Sequence, residues 1–480
     1  MSNKPLSWSE PGFTGLIGVA RRDITPPAGV YARNWGAAAH DIAEGVHRPL
    51  LCTVLTIGSE GNQSPLVLAA IDATWFRGPE GALLIREHVC RELGVPSSAL
   101  MISLSHTHSG PSLSPAELNK PGGSLIKPYV EGVASAIVEA ARAALESECR
   151  AELRFATGRC GLAADRDLQD PAAPRLVCGF NPRARSDDTC LVGRVSRSSD
   201  GVTLATIVNY ACHPTTLGAG NRLLSPDFVG AMRETVEAHA GGAPCLYLQG
   251  ASGELAPRLQ YTADTAIADA HGRELGHAAV AALEGMLAPG TALNMEGVVE
   301  SGAPLAIWGV HNIEKGSILQ SIELPVDLPL KPSLRSEPQI LDEMARCEDR
   351  AAKERLHREL LVARTVGAGS ETSRRPVWIW RIGEILLVGH SDEAYSQLQQ
   401  QLRSAFPDFG VVVMNVVNGW GGYICPAARY EQRVYQAQQS PYASGCLELF
   451  IDRVGWTITE LLAVQAVPES ARALQGSVDR

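Results

Sequence analysis

Apolar residues fall along this chain in two alternating patterns. Short continuous runs rich in Val, Leu and Ile occur at Leu50–Ile57, Pro65–Ile71, Leu100–Ser105, Thr203–Tyr210, Pro244–Gln249, Val377–Trp380, Ile385–Val388 and Gly410–Val417. Runs of this length bounded by turn residues predict buried strands. Between them, apolar positions recur at helical spacing over Glu80–Leu93, Leu125–Leu145, Asp227–His239, Ala266–Met286, Gln339–Val366 and Ser444–Leu462. Alternating strands and helices predict an α/β, or mixed α+β, architecture of layered β-sheets flanked by helices. No repeat, low-complexity tract or Pro/Gly/Ser linker divides the chain, so a single domain over 1–480 is expected, with its core at about 15–465. The stretch Gln339–Val366 is dense in Arg, Lys and Glu and reads as a helical surface excursion, about 336–368.

Charge and cysteine usage narrow the class. The net charge of −10 argues against nucleic acid as a partner, because a phosphate backbone needs clustered Lys and Arg. No run of eighteen apolar residues occurs, so no membrane span or stable membrane association is expected. Met1–Gly15 lacks a basic segment followed by an apolar one, and the 11 cysteines include no CxxC pair. Both features lead to the expectation of a cytoplasmic protein with reduced thiols. A homo-oligomer stays open.

Five segments carry candidate chemistry, each at the end of an apolar run. In Ser105-His106-Thr107-His108-Ser109-Gly110-Pro111, two histidines two apart share a face if the strand continues through them. Imidazole is the commonest zinc ligand, although two polar residues capping a strand have the same pattern. The arrangement recurs once, in Asn209-Tyr210-Ala211-Cys212-His213-Pro214, so the two sites could converge on one metal at a sheet rim. Gln249-Gly250-Ala251-Ser252-Gly253-Glu254 runs a strand into small residues whose N–H groups can cradle negative charge, or into a plain turn. In Gly389-His390-Ser391-Asp392-Glu393 the carboxylate reads first as a helix cap. Asn418-Gly419-Trp420-Gly421-Gly422-Tyr423 is followed by Tyr430 and Tyr435, in a chain with only 5% aromatic residues. Any one of these tyrosines could simply pack.

Taken in order, these segments resemble the catalytic domain of the neutral (non-lysosomal) ceramidases and their shorter bacterial relatives. The similarity runs from Gly18-Val19-Ala20-Arg21-Arg22-Asp23-Ile24-Thr25-Pro26-Pro27 to about Gly445, and Tyr423, Tyr430 and Tyr435 keep the family's spacing of seven and twelve residues. The resemblance implies one zinc (Zn2+) per chain at strand ends, held by His106, His213, Glu393 and Tyr423. It places His108 beside the metal as proton shuttle, Tyr435 near the reacting carbonyl and Arg166 in the pocket wall, with Gly250 N–H a candidate oxyanion donor. A carboxylate behind the histidines is expected to orient them, with Asp72 the guess. Three departures shape the expectation. Gly250 stands where ceramidases have Ser and Ser252 is displaced by two, which argues against a serine nucleophile. His390-Ser391-Asp392 replaces a Pro-Gly turn before Glu393, and the C-terminal immunoglobulin-like domain has no counterpart. The implied activity is hydrolysis of a small N-acyl amide by metal-activated water. An ester or lactone, ceramide itself, and a non-catalytic binding role are the alternatives.

Overall fold

The computed structural model describes residues 6–59 and 64–463. Its largest sheet has eight strands: β1 (Gly12–Asp23), β2 (Leu51–Gly58), β3 (Leu66–Ile71), β4 (Leu100–Leu104), β5 (Cys149–Arg159), β6 (Thr189–Arg197), β7 (Thr203–Tyr210) and β8 (Cys245–Gln249). Their spatial order is β8-β7-β6-β5-β1-β2-β3-β4. Next, β9 (Thr291–Glu300) and β10 (Pro304–Asn312) join Ser7–Trp8 in a three-stranded ribbon. A four-stranded sheet follows, ordered β11 (Leu319–Pro329), β12 (Thr372–Ile382), β13 (Ile385–His390) and β14 (Gly410–Met414).

Alternation along single strands sets the layers. Ala205, Ile207, Leu246 and Leu248 pack in the same cluster as Leu387, Val412 and Met414, so the two large sheets lie face to face. Their neighbours along each strand face outward. Val208, Tyr210 and Tyr247 meet helices Phe228–His239 and Thr265–Glu284, while Leu386, Val388, Val411 and Val413 meet Gln397–Ala405 and Cys446–Ala463. The result is helix, sheet, sheet, helix.

Within these two sheets three strand pairs are parallel: β3 with β4, β7 with β8, and β13 with β14. Each is joined through a helix, Pro79–Leu93, Phe228–His239 and Gln397–Ala405 respectively. Parallel pairs leave a crevice beyond their carboxyl ends, where ligands bind in open α/β sheets. The large sheet curls until β8 touches β3 and β4, which brings its two edges together. Asn418 closes the free edge of β4, donating to Leu100 O (2.8 Å) and accepting from Ile102 N (2.8 Å).

Two expectations change. Strands β1, β5, β6, β9, β10 and β11 add to the expected runs. The Gln339–Val366 span is two helices, Glu337–Arg346 and Arg350–Val366, because the Asp349 side chain accepts from Ala352 N and restarts the helix. This pair packs over the segment around Asn34, where Arg358 Nη2 lies 3.4 Å from Asn34 O. Among the described residues no helix is long and apolar enough to cross a membrane.

Candidate metal centre

The carboxyl ends of β4, β7 and β13 deliver His106, His213 and Glu393 to one point. His106 does not reach it as an extended residue: β4 stops at Leu104, and His106 has φ 64°. The expected i, i+2 alternation of His106 and His108 is therefore replaced by a turn, a conformation that a β-carbon disfavours and that the surroundings must hold. His106 Nδ1 donates to Thr74 O (3.1 Å), and His213 Nδ1 donates to Ser252 O (2.7 Å). A carbonyl can only accept, so in the neutral rings each Nδ1 carries the hydrogen and each Nε2 offers a lone pair.

Both bare nitrogens face the same carboxylate oxygen. Glu393 Oε2 is 2.9 Å from His213 Nε2 and 3.3 Å from His106 Nε2. The other oxygen, Oε1, accepts from Trp420 Nε1 at 2.6 Å. Burial alone would raise the Glu393 carboxyl, but the two imidazoles outweigh it and hold it well below the ordinary range. Burial and the charge of Arg166 push His213 down to about 4, so its imidazole is neutral at pH 7. With both Nδ1 hydrogens committed to carbonyls, two Nε2 lone pairs and a carboxylate converging in a buried site repel one another unless a cation, a proton or a metal ion, lies between them. His106 Nε2 and both ring nitrogens of His108 are buried without a hydrogen-bond partner. The ligand atoms of His106, His108 and His213 lie within 4.8 Å of one another, and this nitrogen and carboxylate donor set fits zinc.

Tyr423 joins through a two-residue parallel pairing, Glu393 with Tyr423 and Ala394 with Ile424. Glu393 therefore lies in a strand, four residues before the helix Gln397–Ala405, and is no helix cap. Tyr423 is buried, its ring centroid 6.4 Å from that of His213, and its hydroxyl accepts from Arg166 Nη2 (3.2 Å). Arg166 also donates to Gly253 O (2.7 Å); it is 4% exposed and has no carboxylate at ion-pair distance among the described residues. Tyr435 stands at the rim, 41% exposed, its ring 6.0 Å from Tyr423. His108 is half-buried between Trp75 and Trp35, with ring centroids at 4.9 and 5.1 Å.

Other expected participants fall elsewhere. Gly250 N–H donates to Tyr210 O (2.9 Å), so it is not free to hold an oxyanion. Its lack of a β-carbon serves packing, since one there would lie 3.0 Å from the Ala211 backbone. Asp72 pairs with Arg233 (2.9 Å) and accepts from Leu51 N; backbone carbonyls, not a carboxylate, orient the histidines. Ser252 Oγ sits 3.3 Å from His213 Nδ1, the edge of the ring turned away from Glu393, and accepts from Gln249 Nε2 (2.6 Å). Tyr430 turns aside to Ser440 Oγ and Tyr442 O. No local pattern marks Thr74, which acts through its carbonyl alone. The roles of Trp35 and Trp75 are equally silent in the pattern, and that of Trp420 is carried only by its place in the Gly-rich segment before Tyr423.

No protein-family model and no curated protein sequence matches this chain. Solved structures do. A neutral ceramidase from Pseudomonas aeruginosa superposes with a TM-score of 0.67 at 17% identity, covering 93% of this chain and 74% of that one. A ceramidase complexed with C2 superposes at 0.65 and 15% identity, with the same coverage. Identity this low speaks to architecture alone, and the architecture is that of the neutral ceramidases.

Proposed function

We propose that this chain is a zinc-dependent amidohydrolase acting on a small N-acyl compound, with His106, His213, Glu393 and Tyr423 as the metal ligands. The observation that carries the reading is the convergence of two imidazole Nε2 atoms, whose Nδ1 partners are backbone carbonyls, on one carboxylate oxygen in a buried site. Bound zinc supplies Lewis acidity, which polarises an acyl carbonyl and acidifies water. The chain's own residues do the rest. Trp420 fixes Glu393 by holding Oε1, and the Thr74 and Ser252 carbonyls fix the imidazole tautomers. His108, pushed well below its ordinary value by burial and the neighbouring imidazoles, is a neutral base at pH 7 with both nitrogens free. It accepts the proton of the attacking water and passes it to the leaving nitrogen. Arg166 and Tyr435 bind the developing oxyanion from the Tyr423 side. Ser252 stays behind His213 as a positioning residue.

The ceramidase architecture supports acyl-bond hydrolysis as the reaction class. A narrow cleft beside His108 is lined by Asn34, His40, Asn221 and Arg222 together with Trp35, Ala32, Ala38, Ala43 and Leu223, so polar and apolar groups share its walls. The test compares kcat/KM across N-acyl amides of increasing chain length with the matching esters, before and after chelation and zinc restoration. Zinc-restored hydrolysis of short amides is expected. Activity indifferent to chelation, or confined to esters, overturns the reading, and ceramide as best substrate overturns its size limit.

A further inference from the structure

The ribbon of Ser7–Trp8, β9 and β10 stands outside both cores, and its outer strand is unprotected. β10 pairs with β9 on one side only; nothing pairs with its other side among the described residues. Every residue of β10 except the half-buried Gly309 is exposed. An exposed edge is a template for another strand, so proteins blunt it with charge, an inward bulge or proline. β10 carries none of these along its edge. From Pro304 to Asn312 there is no Lys, Arg, Asp or Glu; its one proline is the first residue; and the register shift lies on the β9 side, at Met295/Gly297.

The face beside that edge is apolar as well. Pairing of Trp8 and Val310 with Leu293, of Trp308 with Met295 and of Ala306 with Val298 sets these side chains on one face. Trp8, Val298 and Val310 are each more than half exposed. Such a stripe on a projecting element marks an interface. Lipid is a poor occupant, because the open edge would take unsatisfied N–H and C=O groups into hydrocarbon. A strand satisfies them, and a second copy supplies one of identical length.

We propose that β10 pairs antiparallel with β10 of a second copy of this chain, forming a continuous six-stranded sheet about a two-fold axis at Trp308. Trp308 is the central residue of β10, so full overlap sets Trp308 against Trp308 of the second copy and Ala306 against Val310. Nine overlapping residues form about eight to ten hydrogen bonds, as many as a typical interface carries. The contact is isologous and therefore closes at two subunits.

Sedimentation velocity from about 1 to 100 μM, with Trp308→Lys and Val310→Lys beside the wild type, tests this. A wild-type dimer is expected, and both variants should sediment as monomers with native circular dichroism. Trp308→Cys gives a second readout, because directly opposed residues lie about 4.5–5.5 Å apart at Cα, within disulfide reach. It should form a covalent dimer under mild oxidation while Leu6→Cys, on the opposite edge, does not; Cys90, Cys149, Cys178 and Cys347 are partly exposed, so the wild type oxidised alongside is the control. A monomeric wild type, with or without binding to phosphatidylcholine vesicles, overturns the proposal. So does a dimer that survives both lysines, or one that the Trp308→Cys variant fails to cross-link.

Discussion

Thr74 and Ser252 illustrate how single residues set the chemistry here, since each acts through a backbone carbonyl that fixes an imidazole tautomer. Trp420 does the corresponding work for Glu393. Trp420→Phe keeps an aromatic ring and removes the donor, so it should weaken zinc binding about 10- to 100-fold in a chelator competition, as loss of a hydrogen-bond partner behind a metal ligand does elsewhere. His108→Ala should retain zinc and lose most of the turnover, whereas Ser252→Ala should cost far less. An acyl group trapped on Ser252 in a mass spectrum would reverse that order. Glu254 makes a different prediction. Burial raises its carboxyl from 4.5 to about 7 against the opposing bonds from Ser396. Between those values the folded chain keeps a proton that the unfolded chain releases. This contribution to stability is therefore present in acid and lost as pH rises through 7. Glu254→Gln should be near neutral at pH 5 and stabilising at pH 8, by on the order of 2 kcal/mol. A pH-independent difference in melting temperature would refute it.

At the scale of elements, the buried parallel strands are legible because they are continuous apolar runs, as β3, β4, β7 and β8 show. Strand β5 is hidden by its charges. Arg154 and Glu152 lie in its buried part, paired with each other at 2.5 Å, and Arg154 pairs also with Glu10; alternating charges read as surface. Strand β6 is hidden by Gly193, which reads as a turn but makes room for the Phe155 ring. The strand-end histidines are visible as a repeated pattern, yet the left-handed turn at His106 is not, because nothing local marks a non-glycine residue for that conformation. Helix packing offers a sharper test. Gly272 lets Thr265–Glu284 approach Phe228–His239 so closely that a β-carbon would lie 2.3 Å from Phe228 O. Backbone cannot yield as a side chain can, so Gly272→Ala should destabilise by about 1–3 kcal/mol despite its gain in helix propensity. Thermal unfolding that matches the wild type would contradict this.

For the whole molecule, the metal is expected to complete a site rather than to hold the fold. Separate apolar clusters lie on both faces of the two large sheets, and the candidate ligands occupy the crevice beyond their strands. Chelation should therefore leave the circular dichroism native and abolish turnover. Added zinc should raise the melting temperature in a concentration-dependent way. A small domain pinned by its metal would unfold instead. The most direct measurement is the metal content of protein purified without added metal, read by mass spectrometry alongside His106→Ala, His213→Ala and His108→Ala. About one zinc per chain is predicted for the wild type and for His108→Ala, with loss in the other two while all remain folded. Near-zero zinc in the wild type, or an unchanged content in His106→Ala and His213→Ala, would contradict the account.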